Sequence, residues 1–228
     1  MEVERLPDEI IVVNDGGDRG LKDKIKDIPR RCPIVYADVH EDIPWNYNGA
    51  CNLAVWLSRG DFLAFEDNDN VPSLTFYKEA LAYFESNPKI ARVQATKRKT
   101  ISLDDFLNKP RGEWIQIGQE GANMGTAVIP RNIYLSLKGH DERFCGRYGW
   151  MYYDFRSRCL RLQGGMVDYT ASVGEYFYTK EGQSNLERDM STQNLAYYRE
   201  NAHHGRTQPP QGVLNFTYSY EILPRNTK

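Results

Sequence analysis

Residues 61–70 read DFLAFEDNDN: an apolar run over 62–65, then three acids, Glu66, Asp67 and Asp69, within four positions. A short apolar run of this kind predicts a buried strand, and the acids that follow predict a loop at its carboxyl end. In open α/β sheets, ligands bind just beyond the carboxyl ends of strands. Carboxylates clustered there repel one another unless a cation sits between them. A hard divalent ion shared by one or two carboxylates and the oxygens of a phosphate group is the common solution. A solvated acidic turn is the plainer reading of the same residues.

Working outward, strand and helix patterns alternate, as in an α/β domain with a largely parallel sheet. DEIIVV (8–13) reads as a buried strand leading into NDGGD, where Gly16 and Gly17 allow a tight turn. Residues 21–27 predict a short helix ended by Pro29, and CPIVYADV (32–39) a second strand. Over 49–59, Ala50, Leu53, Ala54 and Leu57 share one helical face and Gly60 ends the helix. Ser73 is placed to cap the next helix, with a buried stripe of Tyr77, Ala80, Leu81 and Phe84. Further strands are expected at IARVQAT, EWIQIG and GTAVIP. Helices are expected at 131–138, 151–163 and 184–201, a loop at DERFCGRYGW, a linker at AHHGRTQPPQG, and a strand at VLNFTYSYEIL.

Composition narrows the classes. In 228 residues, 29 basic and 31 acidic side chains give a net charge of −2, no footprint for nucleic acid or an anionic membrane. No run approaches the roughly 20 apolar residues of a membrane helix. The start of the sequence is charged, with no apolar leader, so no signal peptide is expected. Cys32, Cys51, Cys145 and Cys159 lack C-x-x-C spacing, which argues against zinc and against a disulfide framework and for reduced thiols in a cytoplasmic protein. The 15 tyrosines and four tryptophans suit a sugar-handling cleft, although for any single aromatic an ordinary core position is the plainer reading.

Three segments, EIIVVNDGG, NGACNLAVWLSRGDFLAFEDNDN and GHDERFCGRYGWMYYDFRSRCLRLQGG, occur in that order. Together they resemble the family-two glycosyltransferases of GT-A fold, over roughly residues 8–165. The resemblance implies a Rossmann-like three-layer α/β sandwich with a mostly parallel central sheet. It also implies transfer of a hexose from a nucleotide diphosphate sugar, UDP-type, to a carbohydrate acceptor, assisted by Mn or Mg. Asp67-Asn68-Asp69 stands at the family's DxD motif, so Asp67 and Asp69 would hold the metal, and His203 is a candidate third ligand. Asp15, with Asn14 beside it, stands where the family contacts the nucleotide base. Asn52 stands at the asparagine of the helix before the DxD strand. Asp67 and Trp150 are further donor contacts, and Tyr148 with Trp150 would platform a sugar. Asp154 and Arg158 keep the D-x-x-x-R spacing of the third block.

The sequence departs from the family at three places. The acidic pair that often supplies the general base is Met151-Tyr152 here, leaving Asp154, Asp141 and Glu142 as candidates, with Asp154 preferred. Cys51 replaces a frequent arginine. The family's first strand and helix are not recognisable before residue 8. Two alternatives to a glycosyltransferase are kept: an inactive GT-A-like module that binds nucleotide sugar or glycan, which the lost pair and the missing strand motivate, and a sugar-phosphate nucleotidyltransferase, whose Gly-rich phosphate loop followed by Arg and Lys is not visible here. The expected organisation is a GT-A domain over 1–205 with an extension over 206–228. The strand of that extension either fills the place of the first strand, with Ile222 inside the sheet, or packs as a terminal strand on the surface.

Overall fold

A computed structural model describes residues 6–67, 70–121, 126–162, 170–179, 190–203 and 216–226; within these, the side chains of 96–98, 119–121, 170–176, 178–179 and 202–203 are not described. In chain order the elements are β1 (Ile10–Asp15), α1 (Leu21–Lys26), β2 (Ile34–Val39), α2 (Tyr47–Leu57), β3 (Phe62–Phe65), β4 (Asn70–Pro72), α3 (Phe76–Ser86) and β5 (Arg92–Ile101). There follow α4 (Leu103–Asn108), β6 (Gln116–Gly121), β7 (Ala127–Pro130), α5 (Arg131–Ser136), α6 (Met151–Arg161), β8 (Thr170–Thr179), α7 (Thr192–His203) and β9 (Tyr218–Leu223). They gather into two compact units, one built on Phe62–Pro130 with β8, the other on Leu6–Asp61 and Arg131–Leu162 with α7 and β9.

The second of these units holds a three-stranded sheet of order β1-β2-β9. β1 and β2 are parallel, with Ile10 opposite Ile34 and Asp15 opposite Val39, and α1 makes the crossover. Alternation along β2 explains the layering, because successive side chains of a strand point to opposite faces. Ile34 and Tyr36 pack with Val12, Leu223 and the α1 residues Leu21 and Ile25. Ala37 and Val39 pack with Val13, Tyr218 and the α2 residues Leu53 and Leu57. A helix therefore covers each face, a three-layer arrangement in miniature. β9 is antiparallel to β2 and forms the sheet's edge, with Ile222 54% exposed. The C-terminal strand thus lies on the outer side of β2 and not inside the sheet. Arg30 fastens it, bridging to Asn226 and donating from Nε to the Pro224 carbonyl at 2.8 Å.

The other unit holds a six-stranded sheet, β3-β7-β5-β8-β4 with β6 alongside β5. Only β5–β8 is parallel there; β3–β7, β5–β7, β5–β6 and β4–β8 are antiparallel. α3 covers one face through Phe76, Ala80 and Phe84 against Val93, Ala95 and Val128. The expected mostly parallel central sheet is therefore corrected to two mixed sheets. The physical reason lies in the path of the chain. After Ile101 it reverses once, and β6 and then β7 run back along the same edge of β5, β6 opposite Lys97–Ile101 and β7 opposite Val93 and Gln94, so both are antiparallel.

Most expected elements are present within a residue or two. Ser73 does not cap α3: Thr75 occupies the N-cap, without a side-chain hydrogen bond. The loop after Asp141 contains a 3-10 turn, Glu142–Phe144. β4, α4 and the ten-residue β8 were not anticipated.

Candidate functional site

β3 ends at Phe65, and Glu66 and Asp67 follow it in the six-stranded unit. The Asn70 amide donates to the Asp67 carbonyl at 3.0 Å. Asn70 is 8% exposed; its Nδ2 donates to Thr126 Oγ1 at 3.0 Å and reaches Asp67 Oδ2 at 3.4 Å. Its buried Oδ1 has no hydrogen-bond partner among the described residues. Glu66 Oε1 accepts from the Tyr77 hydroxyl at 3.3 Å, while its buried Oε2 has no partner among the described residues. Burial pushes the Glu66 carboxyl up to about 8; the Tyr77 bond opposes this and the Asp67 charge adds to it. Two buried oxygens facing no donor are costly unless something supplies positive charge or a proton.

These residues offer hard oxygen donors and no sulfur, the set that suits Mg or Mn. Orphaned oxygens on both sides of Asp67 fit such a group. Among the described residues no three His, Cys, Asp or Glu side chains are grouped to hold a metal. Asp69 and the His203 side chain, both expected ligands, lie outside the described residues.

In the three-stranded unit, β1 delivers Asn14 and Asp15 at its carboxyl end. Asn14 Nδ2 donates to Asp38 Oδ1 at 3.0 Å and to the Asp18 carbonyl at 3.2 Å, shaping the glycine turn. Gly16 has φ +69°, and a Cβ there would stand 2.6 Å from Asp42 Oδ1, so glycine is required twice over. Asp15 Oδ1 accepts from Asn46 Nδ2 at 2.9 Å. Burial raises the Asp15 pKa, the Asn46 bond lowers it and the Asp42 charge raises it further. Asn46, which the sequence analysis passed over, is thus the residue that holds Asp15.

Asn52 is committed to the protein itself. Its Nδ2 donates to the His140 carbonyl at 3.0 Å and to Glu142 Oε1 at 2.8 Å. Its Oδ1 accepts from the Tyr134 hydroxyl at 2.7 Å and the His140 amide at 2.9 Å. Asn48 Nδ2 adds a bond to the Asp141 carbonyl at 2.7 Å, so α2 braces the whole 139–142 segment.

The three candidate bases stand in that region. Asp141, 4% exposed, accepts from Arg143 Nε at 3.0 Å, Arg143 Nη2 at 2.7 Å and the Tyr197 hydroxyl at 2.6 Å. Asp154, 6% exposed, accepts from Arg158 Nε at 2.8 Å, one helical turn on. Arg158 Nη1 in turn donates to the Leu137 and Gly139 carbonyls. Burial raises the Asp154 pKa against the lowering influence of Arg158. Glu142 is half-buried, the least enclosed of the three.

Trp150 precedes α6 with φ +70°, a left-handed conformation uncommon for a bulky side chain and found where surroundings enforce it. Its ring stacks on Tyr198, centroids 5.4 Å apart, and its Nε1 is buried with no partner. Tyr148 packs on Trp45, also left-handed at φ +52°, with ring centroids 4.7 Å apart. Asn194 of α7 sets this loop: its Nδ2 lies 3.1–3.2 Å from the carbonyls of Phe144, Arg147 and Gly149. Nothing in the sequence around Asn194 signals that role.

The fold is α/β, and acidic residues stand at the carboxyl ends of β1 and β3, as in domains that bind phosphorylated ligands at strand ends. Residues 2–145 match the model of Glycosyl transferase family 2, and the chain belongs to that family. Membership brings the GT-A, Rossmann-like α/β class and, as general function, glycosyl transfer from a nucleotide-sugar donor to an acceptor. No match is found among curated proteins. Among the described residues no helix is long and apolar enough to cross a membrane.

Proposed function

We propose that the chain transfers a hexose from a UDP-type nucleotide sugar to a carbohydrate acceptor, with Mn or Mg held by Asp67 and Asp69 and with His203 as a further candidate ligand. The observation that carries this reading is the pair of buried oxygens that flank Asp67 in sequence, Glu66 Oε2 and Asn70 Oδ1, which find no donor among the described residues. A bound divalent cation supplies charge stabilisation to the departing diphosphate, greater in the transition state than in the ground state.

The remaining roles fall to the chain's own groups. Asp15, fixed by Asn46, accepts from a base N–H and sets the register of the nucleotide, with Asn14 shaping the turn beneath it. Asn52 acts by holding the 139–142 segment. Trp150, with Tyr148 near it in the same loop, is the candidate aromatic contact to a sugar. The acceptor hydroxyl needs a general base within hydrogen-bond reach; Asp154 is the preferred candidate, raised in pKa by burial, with Glu142 and Asp141 behind it. The four cysteines, widely spaced and without a C-x-x-C pair, support a reducing, cytoplasmic setting.

A second reading is favoured by one observation. Asp141 and Asp154 are both engaged by arginines, which suits a nucleotide-sugar or glycan binding module without turnover. Thermal shift with a panel of nucleoside diphosphates, in manganese and in EDTA, tests the donor site. Stabilisation by a diphosphate only in manganese is expected; an equal shift in EDTA overturns the metal assignment. Donor hydrolysis by the best binder then separates transferase from binding module.

A further inference from the structure

Arg111 opens a 3-10 turn in the six-stranded unit, and its guanidinium is half-buried. It lies over the rings of Trp114 and Phe177, 5.7 and 5.4 Å from their centroids. Those rings meet edge to face at 5.4 Å, and Trp114 is pinned by its Nε1 donating to the Lys109 carbonyl at 3.1 Å. One guanidinium nitrogen, Nη2, donates to the Pro72 carbonyl. Among the described residues no carboxylate pairs with Arg111, and burial draws its pKa down with only the Tyr77 phenol opposing. This is an unusual state for an arginine. A partly desolvated cation normally meets a carboxylate, and the planar fork presents five donors, of which one bond to protein is made here.

Position relates this cation to the acidic segment. Pro72 ends β4, which begins at Asn70, whose amide donates to the Asp67 carbonyl. Two strand residues span only about 7 Å. Tyr77 relates the two places, donating to Glu66 while its phenol acts electrostatically on Arg111. The cation therefore stands at the far end of the same short segment that carries the acidic turn.

Resting on the transferase reading above, we infer that Arg111 binds the diphosphate of the donor, its guanidinium held by Trp114 and Phe177 so that its free N–H groups meet phosphate oxygens. The rings fix the plane of the fork while leaving its donors unspent, a preorganisation that a carboxylate partner would destroy.

The test uses the full chain and three probes in manganese: uridine diphosphate, inorganic pyrophosphate and uridine. Arg111→Gln is expected to weaken both diphosphates by about tenfold or more while leaving uridine unchanged, the loss typical of a charge-assisted hydrogen bond. Arg111→Lys, which keeps the charge and much of the stem, is expected to recover part of that loss and covers the case in which the glutamine variant does not fold. Equal weakening of uridine and the diphosphate shows a structural pin and overturns the assignment, as does unchanged diphosphate binding in either variant. If wild-type protein binds diphosphates and the variants match it, Arg111 alone is wrong and the donor site stands. If wild type binds neither diphosphate, the transferase reading falls and Arg111 with it.

Discussion

Glu66 and Asp154 are both buried carboxyl groups whose hold on a proton burial strengthens, yet the two regions answer that cost differently. Beside Asp154 the chain provides Arg158, one turn along the same helix, and beside Asp141 it provides Arg143 and Tyr197. Beside Glu66 it provides a single phenol, and an oxygen is left over. Acids in the first region are neutralised by the protein's own cations; the acidic segment in the second is left to be neutralised by a proton or by something bound. Burial alone therefore does not mark a carboxylate poised for a cation. Burial together with missing counter-charge does.

The contrast breaks most easily at Asp154. Asp154→Ala leaves Arg158 buried and unpaired, and a loss of about 3–5 kcal/mol in urea unfolding is expected. A loss under about 1 kcal/mol would mean the pair is not what holds the 137–139 carbonyls. Asp154→Asn, if it folds, should lower turnover with donor affinity retained, the pattern of an interaction made in the transition state; full turnover moves the role of base to Glu142.

Glu66 sharpens the other side. Its folded pKa of about 8 lies above the ordinary 4.5, so the folded state holds the proton more tightly. The stabilisation is complete below about pH 4.5 and is lost as pH rises towards 8. Between pH 5 and 7, in EDTA, about 2–3 kcal/mol of stability should disappear. Glu66→Gln should abolish that slope; a slope that survives in the variant puts the titrating group elsewhere.

Smaller effects are expected on binding. Asp69→Ala should weaken manganese-dependent binding of uridine diphosphate by about tenfold and remove the metal dependence, with unfolding stability nearly unchanged. Persistent metal dependence would remove Asp69 from the ligand set. Asp15→Ala should cost about 1 kcal/mol in nucleotide affinity and nothing in affinity for manganese alone, measured by titration calorimetry.

Much of the architecture was legible because the signals were local. The IIVV and IVYADV runs, the glycine turn at Gly16 and the spacing of Leu53 and Leu57 each declare their element within a few residues. The Asp154–Arg158 pair was legible as spacing, since four residues on a helix is one turn. β8 was not, although Thr170–Thr179 is rich in β-branched and aromatic residues. Its polar positions break the alternation, and its pairing with β5 joins segments far apart in sequence. The tie from Tyr197 to Asp141 and the hold of Asn194 on three carbonyls are tertiary in the same sense. At the site, the sequence pointed to Asp67 by motif, but only the structure distinguishes an acid with unfilled neighbours from one already clamped.

The last strand sets a clock on the molecule. Leu223 pairs with Ile34, so nearly the whole described chain must be made before β2 acquires its outer neighbour. At ribosomal speeds of roughly 5–20 residues per second, that is a wait on the order of ten seconds or more. Throughout it, a strand as apolar as IVYADV presents an open hydrogen-bonding edge, the template on which nascent chains pair wrongly. Closing so long a loop is also slow in refolding. The addition of β9 to the β1–β2 pair should be a late step in folding, and one at which a chaperone matters.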